Sequence, residues 1–522
     1  MPDPAALFIQ PDTRAERRRS ALTLTTASPS FLPLLFGILA AVLSAAGSWI
    51  PSFWGDEAAS IMSARRPLAS LPELLDTVDA VHGTYYLLLH FWIDLVGISP
   101  FMVRLPSSLA IGVAAAGAVV LARQLAGHRA ALLSGAVVVL LPRLTLVGTE
   151  TRSFAISAAF VIWATVLLVA LLARAERGAP LWLLYAALTI AASYLFLFAL
   201  FVLPAHAVVV ALTARRTHSS AGREWLGLAA RWLGASLITL VALAPLANLA
   251  YDQRSQLDYL HERDAASPYA VLVTTWFGNP VYATLALALI LTPVVAAVAA
   301  RFGRRLPLAP SPVGSVGLGV GAAAAVAFVP MVLLLLINLA DPLFTHRYLV
   351  GSAPAVAVVM GATLARLRPR VAIAGALLLT LAALPSYLGQ RTPFAKVGSD
   401  WAQFSQIISA NSSPGDALVF DETTGPSARP RLAQRVYPAQ FTGLRNILLD
   451  VPYYENDYWW DRTFKVPTVS ARFADVDTVW AVQYRIPGQA PDDYQMAELA
   501  DLGFTVAETW ECNSSVVYKL TR

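Results

Sequence analysis

The sequence predicts a mostly α-helical membrane protein: a polytopic helical domain of about eleven spans, followed by a small extracytoplasmic α/β domain. Composition is the first observation behind this prediction, because 57% of the 522 residues are hydrophobic and only 14% are charged. A soluble domain has about 25% charged residues, so a wholly soluble protein is excluded. The second observation is the recurrence of long apolar runs up to residue 388. The third is a change of net charge at that point.

The charge divides the chain into a basic and an acidic part. Residues 1–388 carry 26 Arg, no Lys and 17 acidic residues, a net charge of +9, whereas residues 389–522 carry 12 basic and 16 acidic residues, a net charge of −4. The Arg residues lie between apolar runs rather than on one basic face, which argues against nucleic-acid binding. The only Cys, Cys512, excludes an intramolecular disulfide. We predict an N-terminal segment (1–30), a membrane catalytic domain (31–388) and a C-terminal domain (389–522).

The first predicted span covers residues 31–50, since a span needs about 20 mostly apolar residues. No small-residue cleavage site follows it, which indicates an anchor rather than a signal peptide. Further spans are predicted at residues 103–122, 129–148, 154–173, 180–195, 197–213, 231–250, 281–300, 314–338, 349–365 and 371–388. Basic residues flanking spans stay in the cytoplasm. We therefore expect a multi-pass protein of the plasma membrane with a cytoplasmic N-terminus, an external loop at 51–102 and an external C-terminal domain.

The Arg distribution fits this topology, because 18 of the 26 Arg in residues 1–388 fall on the predicted cytoplasmic side. One apolar segment, residues 85–98, is too short for a span and contains His90 and Asp94. It suits a re-entrant or interfacial helix. Counting it as a span would invert every later segment and place the Arg-rich loops outside.

Residues 389–522 read as an α/β domain. The predicted strands are residues 417–420, 478–483, 505–507 and 515–520, and the predicted helices are residues 399–410 and 494–502. Gly503 ends the second helix. The two helix-to-strand passages indicate a small sheet with helices packed against it.

Charged residues next to hydrocarbon are costly and are therefore candidates for function. Asp56 and Glu57 directly follow the first span, where adjacent carboxylates can supply a general base or a cation site. The plain alternative is a solvated loop start. His82 and Tyr85 follow in the same external loop, where they could contact a phosphate or a sugar. An interfacial aromatic belt would give the same pattern.

Two further clusters flank later spans. Glu150 and Arg152 share one short loop, and Arg is the preferred residue for recognising phosphate, although an Arg at a membrane boundary often only snorkels. His346, Arg347 and Tyr348 open the span at 349–365, where they would form a cup for an anionic head group. The alternative there is an ordinary span flank.

Several common catalytic signatures are missing from the sequence. It contains no P-loop and no dinucleotide-binding glycine pattern. It also contains no nucleophile elbow and no Cys/His set with zinc spacing. ATP-driven transport and hydrolysis of the soluble type therefore lack support.

Taken together, these segments resemble the GT-C superfamily of integral-membrane glycosyltransferases. The resemblance is greatest to the protein-mannosyltransferase-like branch and its actinobacterial relatives, which use polyprenyl-phosphate mannose. It covers about residues 1–420. The segments that carry it are Trp54-Gly55-Asp56-Glu57, residues 82–92, residues 103–108, residues 150–154 and Arg347-Tyr348. The chain departs from the family pattern at Gly83 and Ser153, where the family usually has Pro.

The resemblance implies transfer of a sugar, with inversion, from a polyprenyl-phosphate carrier to a glycan, lipoglycan or protein acceptor on the outer face of the bilayer. Asp56 would accept the proton of the acceptor hydroxyl, and Glu57 would orient the acceptor or a cation. Arg347, His346 and Arg152 would neutralise the departing phosphate. The other residues expected to bind substrate are His82, Tyr85, Arg104, Glu150, Tyr194 and Tyr348. No cofactor is implied with certainty, and the need for a divalent cation is left open.

Three alternatives remain at this point. One is an arabinosyltransferase of the same architecture. Another is a lipid or polysaccharide transporter, although transporters often show paired repeats and polar sites at mid-membrane. In the third, the C-terminal domain is a carbohydrate-binding module that uses its aromatic residues, which are Tyr453, Tyr454, Tyr458, Trp459 and Trp460. The sequence does not identify the sugar, the acceptor or the linkage.

Overall fold

The computed structural model describes residues 30–173, 178–214, 222–260, 266–302 and 316–522. The predicted cytoplasmic segment 1–30 lies outside the described residues except for Ser30. The α-helices up to residue 389 are Phe31–Ala45, Gly55–Ala64, Leu71–Thr77, Gly83–Val96, Pro100–Ala126, His128–Val138, Pro142–Val147, Phe154–Ala173, Ala179–Leu195, Val202–Ala214, Gly222–Asp252, Pro280–Arg301, Val316–Asn338, Ala353–Leu364 and Pro369–Gly389. Short 3₁₀ segments at Ala80–His82, Leu197–Phe201, Arg254–Leu260 and His346–Ser352 and a π-turn at Ala270–Thr274 connect them.

The helices confirm the predicted membrane domain. Eight helical segments of the described chain are long and apolar enough to cross a membrane, namely Pro100–Ala126, Phe154–Ala173, Leu197–Ala214, Trp225–Asp252, Pro280–Arg301, Gly319–Asn338, His346–Leu364 and Pro369–Gly389. Two shorter apolar helices, Phe31–Ala45 and Ala179–Leu195, accompany them. These ten segments coincide with ten of the eleven predicted spans, and the chain is a multi-pass membrane protein.

The eleventh predicted span, residues 129–148, is wrong as a single helix. The structure has two helices there, His128–Val138 and Pro142–Val147, because the chain is extended at Leu141 and restarts at Pro142. Proline has no N–H to continue the first helix and fits the first position of the second. The ambiguous segment 85–98 lies in the Gly83–Val96 helix, whose 14 residues would reach about 21 Å, less than the hydrocarbon core of a bilayer.

The C-terminal part contains the predicted sheet. Its strands are β1 (Ala417–Phe420), β2 (Leu449–Val451), β3 (Arg462–Thr463), β4 (Thr478–Tyr484), β5 (Thr505–Glu511) and β6 (Ser515–Thr521). Four of them form a sheet in the order β1-β4-β6-β5, in which β1 is parallel to β4 and the other neighbours are antiparallel. The strands β2 and β3 form a separate pair, which the sequence did not predict.

Helices and 3₁₀ turns cover this sheet. They are Trp401–Asn411, Leu432–Val436 and Met496–Asp501, with 3₁₀ segments at Pro426–Ala428, Pro438–Phe441, Tyr453–Glu455 and Val466–Phe473. The two predicted helices, 399–410 and 494–502, correspond to the first and third of these. Gly503 follows the third in the left-handed region that favours glycine, with φ of +89°.

The C-terminal part packs directly on the segment that follows the first membrane helix. One buried cluster contains Phe53 and Met62 from that segment together with Phe420 and Trp480 from the sheet. The backbone N–H of Phe53 donates a hydrogen bond to the Tyr437 hydroxyl at 2.9 Å. The two parts of the chain therefore share a core.

Arginine side chains strengthen this junction. Arg66, which is 1% exposed, donates to the backbone carbonyls of Asn456, at 2.7 Å, and Tyr458. Arg391, just after the last membrane helix, donates to the Ala46 carbonyl at 2.7 Å and the Leu43 carbonyl at 2.8 Å. It satisfies carbonyls at the end of the Phe31–Ala45 helix that have no partner within the helix.

An ion pair without solvent exposure fixes the start of the Gly55–Ala64 helix. The Arg104 Nε donates to Glu57 Oε1 at 2.8 Å, and Nη2 donates to Oε2 at 2.5 Å. Arg104 also donates to the carbonyls of Ser48, at 2.6 Å, and Pro51, at 2.8 Å. The Glu57 carboxylate accepts a further bond from the Thr151 N–H at 2.9 Å.

Replacing one partner of this pair is expected to be strongly destabilising. Glu57→Leu leaves the Arg104 guanidinium buried without its counter-charge, and we expect the free energy of unfolding to fall by about 3–5 kcal/mol. Thermal unfolding in detergent measures the loss. Adding Arg104→Met to Glu57→Leu should recover part of it, while Glu508→Gln, at an exposed pair with Lys519, should change it by less than about 1 kcal/mol. Equal losses for Glu57→Leu and Glu508→Gln would contradict the prediction.

Gly55 permits the C-terminal part to approach the same helix. A Cβ added at Gly55 would lie 2.2 Å from the Ser427 carbonyl oxygen, which is far inside van der Waals contact. We therefore expect Gly55→Ala to displace the Ser427 backbone and to cost about 1–3 kcal/mol in the free energy of unfolding. Gly425→Ala is the matched control, because a Cβ there meets open space. Indistinguishable melting temperatures for the two variants would show that the close approach is unimportant.

Candidate active site

The Gly55–Ala64 helix places Asp56 in its first turn, where a carboxylate interacts favourably with the helix dipole. The Asp56 carboxylate is 25% exposed and forms an ion pair with Arg347, which is 33% exposed. Arg347 lies in the His346–Ser352 turn, and its guanidinium carbon is 5.6 Å from the centroid of the Trp54 ring. The two predicted residues, 291 positions apart in the chain, therefore meet at an accessible surface.

Arg152 also contacts this site, through hydrogen bonds of its guanidinium. Its Nη1 donates to the Asp56 carbonyl at 3.3 Å and to the Ser60 hydroxyl at 3.1 Å, and its Nη2 lies 3.0 Å from His82 Nε2. Arginine can only donate, so Nε2 of His82 is the acceptor and the ring proton is on Nδ1. Burial, together with the charge of Arg152, lowers the pKa of His82 to about 4. His82 is therefore neutral at pH 7.

Electrostatics keep Asp56 ionised. Burial alone would raise the pKa of the Asp56 carboxyl, but attraction to the Arg152 and Arg347 guanidiniums more than offsets burial and brings the pKa below its ordinary value. The site thus presents a carboxylate that can accept a hydrogen bond from a hydroxyl and then its proton.

Glu57 and Arg104 do not face this opening. Both side chains are completely buried in the ion pair described above. Because Arg104 already occupies both oxygens of the Glu57 carboxylate, Asp56 and Glu57 do not fit a shared cation site in this arrangement. Among the described residues, no group of three or more His, Cys, Asp and Glu side chains could hold a metal ion.

Glu150 has a partner that the sequence did not single out. Lys396 Nζ lies 3.2 Å from Glu150 Oε1 and 3.2 Å from the Thr149 hydroxyl, and the Lys396 side chain is 3% exposed. Burial lowers the pKa of Lys396, against the opposing attraction of Glu150 and Glu57. One signal could have identified it, since Lys396 is the first Lys in a chain whose membrane part has none.

The remaining predicted residues differ in their exposure to the site. Tyr85 is buried, and its hydroxyl has no hydrogen-bond partner in the described part of the chain. The Tyr194 hydroxyl donates to the Ala242 carbonyl at 2.8 Å and so is not directed at the residues around Asp56. Tyr348 stacks on Phe198 with 4.0 Å between ring centroids. His346 is half-buried next to Arg347.

A small recess with a volume of about 20 Å³ lies beside Tyr348. Its walls come from membrane helices and from the 3₁₀ segments Leu197–Phe201 and His346–Ser352. The largest side chains that line it are Phe196, Phe198, Val326, Pro330 and Tyr348. Tyr348, Gly351 and Ser352, which line it, belong to the same 3₁₀ segment as Arg347.

A third arginine, Arg143, lies on the Pro142–Val147 helix. Its Nε donates to the Thr275 carbonyl at 2.6 Å, and its Nη2 donates to the Thr274 carbonyl. Arg143 is 5% exposed, and its described hydrogen-bond partners are neutral backbone groups. It therefore adds positive charge to this face of the helical domain.

Comparisons with known proteins support the fold. No protein-family model matches the sequence, and no curated protein matches it. Among solved structures, ArnT from Cupriavidus metallidurans bound to undecaprenyl phosphate is 14% identical, with a TM-score of 0.52 over 94% of this chain and 98% of that chain. The apo state of the same protein is 13% identical, with a TM-score of 0.53 over 93% and 97% of the two chains.

The oligosaccharyltransferase of Archaeoglobus fulgidus also matches, at 10% identity and a TM-score of 0.48 over 86% of this chain and 67% of that chain. These structural neighbours are GT-C glycosyltransferases, but they do not single out the mannosyltransferase branch that the sequence suggested. The match to ArnT covers nearly the whole of both chains. The chain therefore shares the fold of ArnT, with a mostly helical membrane domain and a small C-terminal sheet.

Proposed function

We propose that the protein is a membrane glycosyltransferase that transfers a sugar from a polyprenyl-phosphate carrier to an acceptor. The observation that carries this proposal is the pairing of an ionised, partly exposed Asp56 with Arg347 at the surface of the helical domain. The GT-C fold supports it, as does the undecaprenyl phosphate bound by ArnT from Cupriavidus metallidurans.

The charges around Asp56 favour an anionic ligand. Arg143 donates to backbone carbonyls, and Arg152 donates to a carbonyl, a hydroxyl and a neutral imidazole. Glu150 is already paired with Lys396. Arg152 and Arg347 both attract the Asp56 carboxylate, while the described hydrogen-bond partners of Arg143 are neutral. A phosphate group would give these guanidiniums a further anion to bind.

The reaction follows from these positions. The acceptor hydroxyl attacks the anomeric carbon of the donor while Asp56 takes the hydroxyl proton. The bond between the anomeric carbon and the phosphate oxygen breaks, and its electron pair leaves with the lipid phosphate. Arg347, with Arg152 behind it, neutralises the charge that develops on that oxygen. Attack opposite the leaving group inverts the anomeric configuration.

In this proposal Glu57 and Arg104 are positioning residues. Side chains of consecutive residues point about 100° apart on a helix, so enclosing Glu57 in the ion pair turns Asp56 toward the opening. His82 accepts from Arg152 and orients its guanidinium.

The finer identity of the substrates is also a proposal. We propose mannose as the sugar, a cell-envelope glycan, lipoglycan or protein as the acceptor, and the outer face of the plasma membrane as the location, with residues 389–522 as an extracytoplasmic domain. The Arg asymmetry of the sequence supports this orientation. An arabinosyltransferase is the alternative that the same fold and the same charges allow.

The first test of the proposal is removal of the base. Asp56→Asn keeps the shape of the side chain but cannot accept a proton, so we expect transfer to fall by about 10²–10⁴-fold. The assay supplies purified protein with labelled polyprenyl-phosphate mannose or the arabinose donor and an envelope extract as acceptor. Asp501→Asn, at an exposed position of the C-terminal part, is the matched control and should retain activity.

Two results would overturn the proposal. One is transfer by Asp56→Asn at the wild-type rate, which would remove Asp56 as the base. The other is movement of the labelled lipid across a vesicle membrane by the wild type without formation of a glycosidic bond, which would identify a transporter.

The pH dependence gives a second, independent test. Because Arg347 lowers the pKa of Asp56, Arg347→Gln should raise that pKa. The pH profile of kcat/KM reports the pKa values of the free enzyme. Its acidic limb should therefore move to higher pH in the variant. Arg370→Gln, at an exposed position, should leave the limb in place. An acidic limb that Arg347→Gln does not move, or moves to lower pH, would contradict the assignment of Asp56.

A further inference from the structure

Lys396 occupies an unusual position for a lysine. It lies between the last membrane helix, Pro369–Gly389, and the Trp401–Asn411 helix, and it is 3% exposed. Its ammonium contacts Glu150 and the Thr149 hydroxyl rather than solvent. A buried ammonium is costly, so its retention at this place needs a physical reason.

The backbone next to Lys396 is held in a strained conformation. Val397 has a φ of +54°, which is unfavourable for a β-branched residue, and its side chain is 82% exposed. The C-terminal part fixes this turn, because the Gly398 carbonyl accepts from Asn513 Nδ2 at 2.7 Å and from the Ser514 hydroxyl at 3.0 Å. At this turn Val397 is exposed, while the side chain of Lys396 enters the interior.

Glu150 stands two residues before Arg152 in the chain, and Arg152 donates to the Asp56 carbonyl, so Glu150 is close to the cations of the proposed site. Its charge acts on Arg143 and on Arg347. Without a counter-charge of its own, the Glu150 carboxylate would compete with a phosphate for these guanidiniums. The neighbouring acid, Glu57, is already neutralised by Arg104.

We propose that Lys396 is a positioning residue that binds Glu150 and thereby leaves Arg143 and Arg347 available to the lipid phosphate. This inference rests on the proposed function, because it assigns the phosphate of the donor to those arginines. Glu150 then contributes to the site by being neutralised and not by contacting the substrate. Through the turn at Val397 and Gly398, the C-terminal part controls the charge of a site on the membrane helices.

The consequence is a specific effect on phosphate affinity. Lys396→Met removes the ammonium and keeps an unbranched apolar stem, so the Glu150 carboxylate loses its counter-charge and attracts the arginines instead. We expect the Kd for undecaprenyl phosphate and the KM for the donor to rise by about tenfold, with kcat within about threefold of the wild type. Lys396→Arg should keep most of the affinity.

The experiment measures binding and transfer separately on the full-length protein in nanodiscs. Binding uses undecaprenyl phosphate as the probe, and transfer uses the labelled donor. The decisive variant combines Lys396→Met with Glu150→Gln, which removes both charges and should restore the Kd to within about threefold of the wild type. Lys465→Met is the matched control, because Lys465 is exposed in the C-terminal part.

The outcomes distinguish this inference from the proposed function. Lys396→Met binding undecaprenyl phosphate as tightly as the wild type would overturn it, and so would a loss that Glu150→Gln fails to correct. A merely structural role would lower the melting temperature and kcat together without the selective recovery of Kd. A wild type that binds the probe but transfers no sugar would overturn the proposed function and leave the role of Lys396 supported by the binding data.

Discussion

The ion pair between Arg104 and Glu57 is the contact on which the geometry of the site depends. One guanidinium binds a carboxylate and the carbonyls that follow the first membrane helix, and so joins that helix to the Pro100–Ala126 span. The next residue back from Glu57 is Asp56. Because the buried ion pair fixes the direction of the Glu57 side chain, it also fixes the direction in which the exposed Asp56 carboxylate points. Arg152 and Arg347 then complete the site from two other segments.

The C-terminal part contributes directly to this arrangement. Tyr437 binds the backbone at Phe53, and the Ser427 carbonyl approaches Gly55, so two of its segments contact the residues just before Asp56. Lys396 reaches the site from a third segment, at the junction with the membrane helices. Because these contacts converge on one short helix, the sheet and the spans form a single structural unit around it.

The sequence predicted the fold class and most elements because apolar runs and turn residues are local signals. It predicted one span at residues 129–148, where Pro142 interrupts the helix, because the apolar run continues through the break. It also predicted that Asp56 and Arg347 belong to one site, but it placed Glu57 in that site as well, where it would orient the acceptor or a cation. Adjacent acids look alike in a sequence, and only the partner 47 residues away, Arg104, distinguishes them.

Lys396 and Tyr194 show the same limit of sequence-based prediction. The sequence did not single out Lys396, whereas it did single out Tyr194. Lys396 has no local pattern, and its role comes from residues about 246 positions earlier in the chain. Tyr194 is expected from the sequence to bind substrate, yet its hydroxyl donates to a backbone carbonyl. Long-range pairing decides both cases, and neither hydropathy nor charge pattern encodes it.

The hydrogen bond between Phe53 and Tyr437 spans 384 residues. It therefore closes only after nearly the whole chain has been synthesised and its membrane helices have been inserted. Contacts of such high sequence separation form late in folding because of the entropy lost in closing the loop. The helix that carries Asp56 is therefore synthesised early, but its position is fixed only late in folding. A nascent or incompletely folded chain would hold the acid without its final orientation, so the arrangement around Asp56 is a property of the finished protein and not of the membrane helices alone.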